Sequence, residues 1–458
     1  MSQSLRPIAV FGIMALLLLF VGISQSWGVA LTIINMCLIS AIMALGVNIQ
    51  WGYAGLFNVG IMGFTALGGA AAVLISKAPV SEAVSAGGLD MAIALAVLVG
   101  GIIATVALYK AWGKRPLRKT VTFVAALAVY LLTRSFYGPA SEAIEAVDPA
   151  KTGYLGGLGM PIVFAWFIGG CFAAAAAWFI GKITLGLRTD YLAIATLGIA
   201  EIIVAVLKNE DWLTRGAKNV TGLPRPVPYE TELQAAQWFI DLVHKFNAQA
   251  LSKLTEAERI SALNELVIDA SGVFVKLCYT GLFAAVLLVI FMLCNLALNS
   301  PWGRMIRAIR DNETAAGAMG KDVKARHLQI FILGSAVVGI AGAMMTTLES
   351  QFTPGTYNPL RYTFLVWVMV VVGGSGNNLG SILGGFLVWF IWIEAEPAGI
   401  WLMEVLTQAM DPDSPLRAHM LESAQYMRLM VMGGVLLLVM RFTPGGILPE
   451  KGSQPNRH

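Results

Sequence analysis

Twelve stretches of this sequence are long, apolar and nearly free of charge, and they decide the fold class before any motif is read. They cover residues 8–24, 28–49, 55–76, 91–110, 120–137, 161–182, 191–207, 273–297, 327–348, 361–373, 381–403 and 425–441. A helix that crosses a bilayer needs about 20 mostly apolar residues. Hydrocarbon offers a backbone no hydrogen-bonding partner, so only helices and closed barrels cross it. Barrel strands are short and alternate in polarity, which these runs do not. The sequence therefore predicts an all-α, polytopic transmembrane helix bundle of about 10–12 spans. Composition agrees: 57% of residues are hydrophobic and only 13% charged, where soluble domains carry roughly a quarter charged residues.

Two of the stretches are irregular. Span 55–76 is interrupted by Gly60, Gly63, Gly68 and Gly69, and span 361–373 is short and runs into a glycine-rich segment from Gly373 to Gly380. Each reads as either spanning or re-entrant. Span 120–137 also carries Arg134 near its outer end. The first run resembles a signal peptide, but its cleavage site is poor and a second run follows at once, so a retained helix is expected.

Orientation follows from the basic residues of short loops, which collect on the cytoplasmic side. Lys110, Lys114, Arg115, Arg118 and Lys119 form one cluster, and Lys182 with Arg188 a second. Arg304, Arg307, Arg310, Lys321, Lys324 and Arg326 form a third, and Arg441, Lys451 and Arg457 a fourth. Threading the spans puts all four, with Arg6, on one side, so both termini are expected in the cytoplasm. Acids such as Glu82, Asp90, Glu142, Glu145, Asp148, Asp411 and Asp413 fall opposite. The net charge of +4 is small and locally clustered, which argues against a nucleic-acid partner.

The expected organisation is a first helix (1–27), the first half of a core (28–207), an outer-face insertion (208–272), a further spanning helix (273–298), a cytoplasmic loop (299–326), the second half of the core (327–441) and a cytoplasmic tail (442–458). The insertion opens with Pro224, Pro226 and Pro228. Its second half spaces Trp238, Phe239, Leu242 and Phe246 as an amphipathic helix would, lying on the membrane surface, over a pore mouth, or as a plain solvated cap.

Catalytic constellations are not evident. Cys37, Cys171, Cys278 and Cys294 lie in or beside apolar runs and form no C-x-x-C pair. His244, His327, His419 and His458 are scattered. No metal, cofactor or enzymatic activity is expected. The string Ala315 to Asp322 approaches a phosphate-binding loop only superficially, lacking its first glycine and its magnesium-binding hydroxyl.

The loop Asn299–Arg326 is the most informative segment. Arg304, Arg307 and Arg310 recur every third residue along one helical face. Asp311 and Glu313 precede a small-residue helix that contains Ala316 and ends at Gly320, with Asp311 or Asn312 as N-cap. On the residues alone this is equally an ordinary basic loop or a plug for a partner's groove. Ser300, Pro301, Gly303, Arg304, Ala308, Ile309, Arg310, Glu313, Ala315, Ala316 and Gly320 match the pattern S-P-x-G-R-x-x-x-A-I-R-x-x-E-x-A-A-x-x-x-G, which resembles the coupling loop of the branched-chain amino acid ABC transporter permeases of the LivM type. Further blocks resemble that family in order: Gly52 to Gly60, Thr189 to Gly198 with Glu201-Ile202-Ile203, Val372 to Gly376 with Leu379, Gly380 and Gly384, and Arg441 to Ile447. Thr189 replaces the family's usual glycine, and residues 101–160 and 208–272 align poorly.

The resemblance implies a permease subunit of an ATP-driven importer of amino acids, most often branched-chain, in a bacterial inner membrane. It implies a second homologous permease, two cytoplasmic ATPase subunits coupled through residues 307–320, and a periplasmic substrate-binding protein. Tyr53, Asn58, Gly374, Gly376, Asn377 and Asn378 at the glycine breaks, and Glu201 inside a span, are candidates for the translocation path. Interhelical hydrogen bonding is the competing role for the polar ones. The rival to an ATP-driven permease is a secondary transporter driven by an ion gradient, which needs intramembrane ionisable residues for coupling.

Overall fold

The computed structural model describes residues 5–113, 117–149, 151–408, 410–411 and 414–450. Lys114, Arg115, Asp413, Lys451, Arg457 and His458 lie outside them. Among the described residues, ten helices are long and apolar enough to cross a membrane. They are α1 (Leu5–Ser24), α2 (Trp27–Gln50), α4 (Ser81–Ala111), α5 (Arg118–Ala146), α6 (Ile162–Thr184), α7 (Thr189–Asn209), α9 (Glu256–Asn299), α12 (Val323–Glu349), α14 (Asn378–Leu406) and α15 (Pro415–Phe442). Two apolar helices are shorter: α3 (Ile61–Ser76) and α13 (Leu360–Gly373). Helices α8 (Gln237–Leu251), α10 (Pro301–Asp311) and α11 (Glu313–Ala318) connect them. Among the described residues the one sheet is a two-residue pairing of β1 (Val220–Thr221) with β2 (Gln351–Phe352), antiparallel, Val220 opposite Phe352.

Helices α2, α3 and α12 form the centre. α12 packs on α6, α3 and α2, and α2 packs also on α9 and α14. The residue ranges 28–207 and 327–441 thus contribute to a single core. Small residues allow this closeness. A Cβ at Gly68 would overlap the Gly339 carbonyl, and one at Gly384 the Met369 carbonyl. The hairpin α4–α5 stands apart, with almost none of its apolar side chains buried. Only its end formed by the start of α4 and the end of α5 builds a small separate core, from Ala83, Met91, Ala140 and Ile144 against Trp212. There the Trp212 indole N–H donates to Glu210 at 2.8 Å, and the Tyr137 hydroxyl meets the same carboxylate.

Two expectations need correction. The span expected over 55–76 is helical only from Ile61, because residues 51–60 follow a non-helical path. At about 24 Å, the length of sixteen residues, α3 is too short to cross hydrocarbon alone. The span expected over 273–297 is the C-terminal part of α9, which begins at Glu256 and crosses the 272/273 boundary without a break. Thr255 and Glu258 close a capping box at its start, the Glu258 carboxylate accepting from the Thr255 N–H at 3.1 Å. Hydropathy falls along its outer third, but nothing there stops a helix. In the insertion, α8 turns Phe239 and Val243 inward and leaves Trp238, Leu242 and Phe246 exposed.

Gly384→Val is expected to lower stability by about 1–3 kcal/mol, the usual cost of overpacking, because the obstructing atom is backbone. Gly100, with nothing within 4 Å of a Cβ, should accept alanine without loss. Thermal unfolding in detergent, followed by size-exclusion recovery, checks both.

Candidate functional site

Two interruptions of the bundle meet at one end. The first runs from Trp51 to Gly60, between α2 and α3. The second runs from Gly374 to Asn377, between α13 and α14. Left-handed or otherwise glycine-only backbone at Gly55 (φ 70°), Gly374 (φ 119°) and Gly376 (φ 78°) makes both turns possible. Irregular backbone at membrane depth is tolerated only where protein satisfies it. In the first break, Val59 N–H donates to the Thr196 hydroxyl at 3.1 Å and Gly60 N–H to Asn58 Oδ1 at 2.9 Å. The Thr363 hydroxyl donates to the Val59 carbonyl at 3.2 Å, and the Trp367 indole to that of Asn58 at 3.0 Å. In the second, Asn377 Oδ1 accepts from Leu379 N–H at 3.1 Å and so caps α14. The tail beyond α15 completes it: Ile447 and Leu448 N–H groups donate to the carbonyls of Val372 and Gly373, both at 2.9 Å.

Asn48 touches both breaks: its backbone carbonyl accepts from Tyr53 N–H in the first at 3.2 Å, and its side chain reaches the second. Its Oδ1 accepts from Gly376 N–H at 2.8 Å, and its amide donates to Asn378 Oδ1 at 3.0 Å. The Asn378 amide donates onward to Asn295 at 2.7 Å. Beside this chain, the Asn58 amide donates to Gln50, and Gln50 donates to the Ser335 hydroxyl at 3.0 Å. Of the expected path residues, Asn58 and Asn378 are buried and hydrogen-bonded within the bundle, Gly374 and Gly376 shape the turn, and Tyr53 is buried beside them. Asn377 is half-buried. Glu201 lies elsewhere, exposed on α7. Asn48, Gln50, Asn295 and Ser335 were not singled out from sequence. The pair Asn48 and Gln50, closing an apolar span just before a glycine run, was the available signal.

Helices α10 and α11 lie below this junction. The hydroxyl of Ser300 caps α10, and Asn312 Oδ1 caps α11 by accepting from Ala315 N–H at 2.9 Å. The three arginines of α10 divide their roles. Arg304 is exposed. Arg307 donates to the Leu298 carbonyl at 3.1 Å. Arg310 turns inward, donating to the Gly52 carbonyl and pairing with Glu450 at 3.0 Å and Asp311 at 3.1 Å. Burial works against its charge, but the Glu450 and Asp311 carboxylates outweigh it and hold its pKa above the usual value. The displayed surface is Asp311, Glu313 and the small residues to Gly320, with Ala316 half-buried. At its tip Met319 is 80% exposed. A cavity of about 230 Å³ opens between this loop and the first break, bordered by Phe57, Thr189, Arg310, Glu313, Lys324 and His327. Among the described residues no group of three His, Cys, Asp or Glu is placed to hold a metal.

The family described as branched-chain amino acid transport system, permease component, matches residues 121–440. The chain is 28% identical over 170 residues to a probable branched-chain amino acid transport permease LivM of Methanocaldococcus jannaschii, covering 37% of this chain and 45% of that protein. It is 27% identical over 284 residues to the high-affinity branched-chain amino acid permease LivM of Escherichia coli, covering 62% of this chain and 56% of the relative. A xylose transport permease, XylH of Escherichia coli, is 26% identical over 117 residues, 24% of this chain and 30% of that one. The matched region spans about half the length of the LivM relatives. No solved structure matches. With ten apolar helices of spanning length, the chain is a multi-pass membrane protein.

Asn48→Leu is expected to leave the Gly376 N–H and the Asn378 Oδ1 without those partners, at about 1–3 kcal/mol for each. A drop in thermal stability in detergent, with the helical circular dichroism of the native state intact at low temperature, is the result that checks it.

Proposed function

The chain belongs to the family of permease components of branched-chain amino acid transport systems, and from that premise we propose that it forms one half of the membrane pathway of an ATP-driven amino acid importer in a bacterial inner membrane. The observation that carries the reading is the exposed segment Asp311–Gly320, held beneath both breaks by Arg310. Displayed small residues around one protruding methionine suit insertion into a groove. The arginine behind them gives a push on the segment a direct route to the backbone of Gly52 and to the tail at Glu450. Soft, unbranched methionine adapts well to such a groove.

On this reading the face carrying α10, α11 and the tail is cytoplasmic, as the basic loops require. Two ATPase subunits dock there, a homologous permease completes the pathway, and a periplasmic protein delivers the amino acid to the opposite face, where residues 208–272 lie. The nucleotide site resides on the partner chains.

Co-expressed ATPase subunits should co-purify with the chain. Glu313→Arg and Met319→Glu should each release them and abolish ATP-dependent leucine uptake in proteoliposomes, while the detergent-solubilised permease keeps its elution volume and thermal stability. Leucine uptake by the lone chain without nucleotide would overturn the proposal.

A further inference from the structure

We propose that the Glu349–Arg361 pair, framed by Tyr362 and Trp389, receives the charged ends of a zwitterionic amino acid as it crosses the bundle. This rests on the transport reading above and locates the binding step within it.

Depth is the first argument. Arg361 stands twelve residues from Gly373 at the inner break, about 18 Å of helix. Trp389 lies five residues inward of Glu394, about 7.5 Å, and Glu394 accepts a hydrogen bond from Gln25 in the turn joining α1 and α2. The Arg361 guanidinium sits 5.4 Å from the Trp389 ring centroid and 5.3 Å from that of Tyr362. The pair is therefore inside the bilayer, below its outer boundary. Charge at that depth is expensive and is kept where it meets water or protein rather than lipid. Yet the side chains of Arg361 and Glu349 are 31% and 34% exposed on this chain. The face that bears them is accordingly a pathway or interface face, not a lipid face.

Its continuation supports this. Leu360 and Phe364 are exposed along α13, and half-buried Trp367 follows at helical spacing. Trp367 meets Phe57 and Trp51 at ring-centroid distances of 4.6 and 5.2 Å. Phe57 in turn borders the cavity beside Arg310. Charges, then apolar and aromatic surface, then the inner cavity thus succeed one another from the outer third of the bundle to its inner end.

The chemistry fits one ligand class. Glu349 and Arg361 touch through a single contact at 3.9 Å rather than a paired fork. Arg361 Nε and Trp389 Nε1 are buried with no hydrogen-bond partner among the described residues. An α-carboxylate can accept from the guanidinium while the α-ammonium moves to Glu349 and the ring faces. The empty pair neutralises itself and the loaded site is neutral as well, so loading exchanges ion pairs without adding net charge at membrane depth.

The test uses the assembled transporter, permeases with ATPases, in lipid nanodiscs and proteoliposomes. With Cys37, Cys171, Cys278 and Cys294 replaced by alanine, Phe364→Cys should react with a charged, membrane-impermeant methanethiosulfonate, and leucine-loaded binding protein with ATP should slow the reaction. No reaction would place the face against lipid and overturn the proposal. Arg361→Gln and Glu349→Gln should each cut leucine uptake about tenfold or more, with ATPase co-purification unchanged. The exchange Glu349→Arg with Arg361→Glu keeps an ion pair but reverses the ends it offers, so uptake should stay low. Recovery to the wild-type rate would make the pair a structural bridge only. Failure of the transport reading itself would show differently, as an absence of bound ATPases in the unsubstituted complex.

Discussion

The Asn48 amide carries a burden out of proportion to its size. Two stretches of backbone leave helical geometry at the same end of the bundle, and each exposes donors and acceptors that hydrocarbon cannot satisfy. One residue answers both: its side chain accepts from Gly376 and donates to Asn378 at the second break, and its backbone carbonyl accepts from Tyr53 N–H at 3.2 Å in the first. Because the breaks share a partner, they are not independent. Any shift of the α2 end relative to α14 strains the bonds to Gly376 and Asn378 at once. Burial strengthens that dependence, since the low local dielectric raises the penalty for a group left unpaired.

Arg310 extends the same logic outward. A guanidinium offers several donors in a fixed fork, and here they reach the first break, the tail and the neighbouring Asp311. A rigid connection of this kind would, on the proposed function, let a short surface helix act as a lever arm. The division of labour on α10 follows: Arg307 and Arg310 brace the helix against the bundle, and the exposed Arg304 reaches only the neighbouring Asn299 carbonyl, at 3.3 Å. On the proposed function, the groups that would transmit movement are distinct from those that would touch a partner.

Hydropathy located the long helices because the bilayer imposes one length and one polarity on them. The ten spans of full length fall where the apolar runs do, and the two irregular runs became the two short helices. Glycine spacing marked the breaks for a definite reason, since Gly374 and Gly376 adopt backbone that a side chain resists. Hydropathy failed where it and helicity part company. α9 continues into polar sequence because its cap lies at Thr255, not where the lipid ends. Regular i+3 spacing put three arginines on one face, but spacing cannot say whether that face looks out or in. The buried amide chain of Asn48, Asn378 and Asn295 joins residues more than 80 positions apart, a relation no local pattern encodes. Glu349 and Arg361 were passed over because each stands at the edge of an apolar run, where a charge looks like a boundary.

The seal on the second break comes from residues 447 and 448, which leave the ribosome after the ten long helices described above have done so. Until they arrive, the carbonyls of Val372 and Gly373 lack those partners, and Arg310 lacks Glu450. Insertion of the helices and maturation of the inner end are therefore separate events in time. Biogenesis must hold a nearly complete bundle with an open inner end, and quality control has there a chemically distinct, unfinished surface to inspect.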